Sequence, residues 1–140
     1  MNKLVDVYKV VMRTVDLGVG DYIYQSCIMH TDYGAFCKSP MVEYKMGRPT
    51  RRNSGCGPLM AFDNLIYAAY FVVANYGKYA TYICIFKAKA ELSKQCNAWY
   101  TLSDEWGDKR LVQANREFPK GSIFCNSIRI EEEVPRKLWP

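Results

Sequence analysis

The alternation of apolar and polar positions is clearest between residues 55 and 90, GCGPLMAFDNLIYAAYFVVANYGKYATYICIFKAKA. A Gly-rich turn leads into the apolar run Leu59, Met60, Ala61 and Phe62, which reads as a short strand, then into a helix and a second strong strand. Asp63 is placed as the helix N-cap because its carboxylate can accept from the free amides of the next turn, and Gly77 closes the helix, giving a span of about 64–76. Leu65, Ala68, Ala69, Val72, Val73 and Tyr76 recur at the spacing of a buried stripe. Ile66, Tyr67, Tyr70 and Phe71 make a second apolar face, which needs either further burial or a partner surface. Residues 79–88, rich in aromatic and β-branched side chains, predict a central strand.

Upstream, residues 4–13 predict a strand with Leu4, Asp6, Tyr8 and Val10 on one side and Val5, Val7, Lys9 and Val11 on the other. Both sides are mostly apolar, as on an interior strand. A turn over 16–21 and a second strand over 22–29 suggest a hairpin. From 30 to 57 the chain is broken by Gly34, Pro40, Gly47, Pro49 and Gly55, with at most a short strand near 41–46. Residues 104–108 read as a turn and 109–117 as a short helix. The last strand, 123–134, alternates Ile128, Ile130, Glu132 and Val134 against Arg129, Glu131 and Glu133, and Pro135 ends it. The tail, 135–140, either frays or docks through Leu138 and Trp139. These elements imply one α+β domain over 1–140, a mixed or mainly antiparallel sheet of about five or six strands with one principal helix packed on it.

Composition narrows the setting. The chain of 140 residues is 49% hydrophobic, enough for a core, and its net charge of +5 favours anionic partners without the dense tracts of a nucleic-acid tail. No apolar run approaches the length needed to span a bilayer, and the N-terminal residues lack a signal-peptide core, so the expectation is a cytoplasmic protein with no membrane partner. The six cysteines are then expected as thiols, with Cys84 and Cys125 as core residues.

The main candidate for chemistry is the basic stretch Lys45, Arg48, Arg51 and Arg52 running into Gly55 and Gly57. Glycines let amides turn toward an anion and guanidinium forks suit phosphate, although the spacing matches neither a P-loop nor a dinucleotide fingerprint and the charges could simply be solvated. Cys27, His30, Cys37 and Cys56 contain only one short ligand spacing, so neither a metal nor another cofactor is expected. Glu132, in line with Ile128 and Ile130, would be a rim carboxylate of an apolar face or simply reach solvent.

Tyr8 to Val11 as YKVV, Tyr44 to Gly47 as Y-K-x-G, and the G-x-G-P-L-x-x-F-D-N-L-x-x-A-x-x-F pattern from Gly55 to Phe71 resemble small phage and viral proteins of unassigned function. Across residues 5–90 that layout is similar to ADP-ribosyltransferase-like α+β folds, in which a split sheet holds a nicotinamide dinucleotide. The resemblance implies Arg13 as the dinucleotide-holding arginine and Glu131 with Glu133 as the acceptor-activating pair. The Ser-Thr-Ser segment of those enzymes has no counterpart beyond Ser26.

The expected function is therefore a non-enzymatic binding module, a phage or viral accessory or counter-defence protein that engages a host macromolecule or a nucleotide-type anionic ligand through the basic Gly-rich stretch. Nucleic acid is a subordinate form of that expectation. The alternatives are an ADP-ribosyltransferase-like enzyme using Arg13 with Glu131 or Glu133, and an assembly protein that forms homo-oligomers through Ile66, Tyr67, Tyr70 and Phe71.

Overall fold

A computed structural model describes residues 3–26, 42–52, 58–94, 99–103, 109–113 and 119–140. Its elements in chain order are β1 (Leu4–Val15), β2 (Tyr22–Ser26), β3 (Glu43–Tyr44), β4 (Thr50–Arg51), β5 (Leu59–Phe62), α1 (Leu65–Tyr76), β6 (Ile83–Leu92), β7 (Trp99–Ser103), β8 (Lys109–Gln113), β9 (Ser122–Glu133) and a 3-10 turn at Arg136–Leu138. The fold is α+β, with a seven-stranded antiparallel sheet, a separate β7–β8 hairpin and one helix packed on the sheet among the described residues. The sheet exceeds the expected strand count because β4, two residues long, is too short to leave a periodic signal, whereas β3 falls within the short strand expected near 41–46.

The sheet closes on itself. β1 pairs with β6, β6 with β9, β9 with β5, and β5 returns to β1 at the Tyr8–Phe62 pair. From Tyr8 the route through Lys87 reaches β9 at Glu132, and the route through Phe62 reaches it at Ser122, a stagger of the kind barrel closure requires. Farther along, β2 and β3 extend from β1, β4 lies against β9, and the turn joining β3 to β4 is fastened by Gly47 N–H to the Ile130 carbonyl at 2.9 Å.

Alternation along these strands feeds two cores. Val7, Val11, Ala61, Cys84, Phe86, Ala88, Ala90, Cys125, Ile128 and Ile130 fill the barrel with Tyr44, while Val10, Phe62, Ile83, Ile85 and Val134 face α1. Alanine and cysteine recur inside because a sheet closed this tightly leaves room for few large side chains; Phe86, Tyr44 and the two isoleucines take that room.

Several expectations hold and several are corrected. The β1–β2 hairpin is formed and β6 lies centrally, between β1 and β9. The N-cap of α1 is Asn64, whose Oδ1 accepts from Tyr67 N at 3.0 Å, not Asp63. Asp63 belongs to the corner before the helix, its N–H donating to the Gly121 carbonyl and its carboxylate accepting from Asn64 Nδ2. Gly77 is the C-cap as expected. The helix is rotated from the expected stripe: Ala68, Ala69, Phe71 and Val72 are buried, whereas Val73 is exposed. Phe71 packs against Phe62 at 5.2 Å between ring centroids and is therefore no part of a partner face. The outward apolar stripe consists of Ile66, Tyr70 and Val73, with Tyr67 half-buried. Lys109–Gln113 is a strand rather than the start of a helix, because pairing with Trp99–Ser103 overrides a weak local preference. The expected turn at 104–108 lies outside the described residues.

The tail docks, but by Arg136 and Trp139 rather than Leu138, which is exposed. Arg136 donates to the carbonyls of Lys78, Ala80 and Ile83 and stacks on Trp139, whose indole N–H donates to the Val134 carbonyl. No helix of the described residues is long and apolar enough to cross a membrane.

Candidate functional site

One end of the barrel gathers side chains from three strands around Arg13. Two positions beyond Val11 on the inward side of β1, Arg13 donates through Nη1 to Glu133 Oε1 at 3.0 Å and lies over the Tyr22 ring at 4.7 Å from its centroid. Tyr24, its cross-strand neighbour, helps hold the guanidinium charged and sets its ring edge-on to Phe86 at 5.0 Å. Cys84 lies beneath, buried, on β6.

Glu133 reaches this point through a bulge. In the β6–β9 ladder Ala88 opposes Ile130 and Lys87 opposes Glu132, so Glu131 is an extra residue on β9. The inserted residue reverses the alternation: Glu132 turns outward beside Lys87, and Glu133 moves inward opposite Phe86. The expected single face of Ile128, Ile130, Glu132 and Val134 therefore ends at Ile130, and Glu132 is not a rim carboxylate of the core. Glu131 points elsewhere, to Arg129 at 3.5 Å. Of the three residues singled out by resemblance, the fold brings together Arg13 and Glu133 and leaves Glu131 apart.

The electrostatics of this end suit holding rather than attacking. Partial burial acts to lower the Arg13 pKa, but Cys84, Glu133, Tyr24 and Tyr22 together outweigh it and hold it above its ordinary value. Burial pushes the Tyr24 hydroxyl up, and pushes the Cys84 thiol up against the lowering influence of Arg13. Deeper in the barrel, burial takes Cys125 to about 11, with Lys9 acting the other way. Both thiols stay protonated at neutral pH, which makes neither a ready nucleophile.

The basic stretch lies along the β3–β4 side of the barrel. Lys45 and Arg48 are exposed on the connecting turn, where Arg48 N–H donates to the Lys45 carbonyl at 3.1 Å. Arg51 is 71% exposed and reaches Glu91 at 3.8 Å, too loosely in solvent to neutralise it. Arg52 is half-buried, its N–H donating to the Asn126 carbonyl. Gly55 and Gly57 lie outside the described residues, as do Cys27, His30, Cys37 and Cys56; among the described residues no group of three or more His, Cys, Asp or Glu could hold a metal ion.

Sequence reasoning missed Tyr22, Tyr24 and Cys84 as neighbours of Arg13, a grouping that depends on cross-strand register. It also passed over Lys9, although a lysine in line with Val7 and Val11 on an interior strand was the signal. Lys9 is 7% exposed, and its ammonium lies 2.7 Å from the Met60 carbonyl and 5.2 Å from the Tyr44 ring centroid.

No protein-family model, curated protein or solved structure matches this chain.

Proposed function

We propose that this protein is a non-enzymatic binding module that engages a nucleotide-type anionic ligand, free or displayed on a host macromolecule, through the basic stretch from Lys45 to Arg52. The observation that carries the reading is a cationic turn in fixed position: Lys45, Arg48 and Arg51 are exposed beside a backbone tied to β9 through Gly47 and Arg52. Such a turn loses little conformational freedom on meeting an anion. The net charge of +5 supports attraction of that partner, and the resemblance to phage and viral proteins is consistent with a counter-defence or accessory setting. Fluorescence anisotropy with a labelled nucleoside triphosphate tests it. Replacing Arg48 and Arg51 together by alanine is expected to weaken binding about 5- to 30-fold, two exposed charge contacts being worth about 1–2 kcal/mol in all. Absence of binding to the native protein, or equal binding by the double variant, would reject the reading.

A second reading, an ADP-ribosyltransferase-like enzyme, draws support from the meeting of Arg13 and Glu133 at 3.0 Å. It expects label from a nicotinamide dinucleotide to enter a lysate protein in the presence of the native chain and not of Glu133→Gln. Label transfer that persists in that variant removes Glu133 from the chemistry, and no transfer by the native chain leaves the binding reading in place.

A further inference from the structure

The barrel interior holds a cation and a hydroxyl that the fold does not fully use. Lys9 carries three N–H donors, of which one is accounted for by the Met60 carbonyl, and no carboxylate among the described residues pairs with it. The Tyr44 ring also lies against the ammonium, and Tyr44, 2% exposed, has a buried hydroxyl with no hydrogen-bond partner among the described residues. A buried ammonium without a counter-charge and a buried O–H without an acceptor are each costly, and they lie on adjoining groups. One acceptor bearing negative charge would satisfy both. Tyr44 and Met60, the two groups against Lys9, also flank the basic stretch: Tyr44 directly precedes Lys45, and Met60 belongs to the strand that follows Gly57.

We propose that Lys9 and Tyr44 form an internal site for a small oxyanion, a carboxylate or an inorganic phosphate, separate from the surface cations at Arg48 and Arg51. Lys9 supplies charge and N–H donors, and Tyr44 supplies an O–H donor. The burial of both residues limits the ligand to a group of a few atoms.

Thermal unfolding at constant ionic strength, with phosphate or acetate exchanged for chloride, tests the site. The native protein is expected to gain midpoint temperature with one or both anions in a saturable manner, and which anion acts identifies the source. The gain should persist when Arg48 and Arg51 are alanine. It should vanish in Lys9→Met, and the apparent affinity should fall by about tenfold in Tyr44→Phe, the equivalent of 1.4 kcal/mol. Tyr44→Phe removes only a hydroxyl and keeps the ring, so it carries the test if Lys9→Met fails to fold. If the hydroxyl is merely unsatisfied, Tyr44→Phe will be as stable as the native chain or more so, and its anion response unchanged; that result overturns the proposal. So does a native protein indifferent to both anions, or a response lost with the surface arginines.

Discussion

Replacing Phe86 by alanine is expected to lower stability by about 3–5 kcal/mol and to loosen the Arg13 end of the barrel at the same time. Phe86 is 1% exposed, the largest apolar side chain on β6, and the barrel around it closes through strands that cannot easily move inward. Removing the ring leaves a cavity inside the barrel core beside Tyr24 rather than a collapsible surface site. The consequence for the site runs through Tyr24, which sets its ring edge-on to Phe86 and is the cross-strand neighbour of Arg13. A domain of ordinary stability, about 5–15 kcal/mol, could lose its cooperative transition to such a change, so Phe86→Leu gives the graded comparison at under about 1.5 kcal/mol. Urea midpoints of the three proteins measure both. A cost below about 1 kcal/mol for the alanine variant would mean that the ring does not fill a closed interior.

The parts of this fold legible in the sequence are those in which one local preference acts alone. The β1–β2 hairpin shows in the run of β-formers on either side of a Gly-containing turn, and the C-terminus of α1 shows in Gly77. Where two neighbours offer the same chemistry, the sequence does not choose. Asp63 and Asn64 can both cap, and the corner settles it by hydrogen-bonding Asp63 to Gly121. The helix LIYAAYFVVANY has no charged residue to mark an outer face, so the inward rotation of Phe71 is decided by Phe62 across the layer. The Arg13–Glu133 pair was legible only as two residues of interest. Their meeting depends on Glu131 being an extra residue in β9, and a bulge leaves no trace in composition or periodicity until the partner strand is known. Barrel closure is hidden for the same reason, since it rests on pairings between strands remote in sequence.

Gly121→Ala is the other substitution with a large expected cost, about 2–5 kcal/mol, at a residue with no role in either proposed site. Gly121 has φ +85°, where an L-residue with a Cβ is strained by about 1–2 kcal/mol. Its carbonyl accepts from Asp63 N–H at 2.9 Å, which fixes the turn into β9 against the entrance of α1. A methyl group added there would meet Tyr67 within 2.8 Å of both its Cβ and Cγ. The Tyr67 Cβ is bound to the helix backbone and cannot swing away, so the helix itself must shift, at the cost of about 1–3 kcal/mol typical of overpacking. A double-mutant cycle separates the two causes. In Tyr67→Ala the ring contacts are gone while the Cβ contact remains, so Gly121→Ala made in that background should cost less than in the native chain but more than the φ strain alone, leaving a coupling of about 0.5–2 kcal/mol. Additive losses in chemical denaturation would remove the Tyr67 ring from the account and leave the effect to backbone conformation and the Cβ contact. A Gly121→Ala variant as stable as the native chain would overturn both the positive φ and the contact.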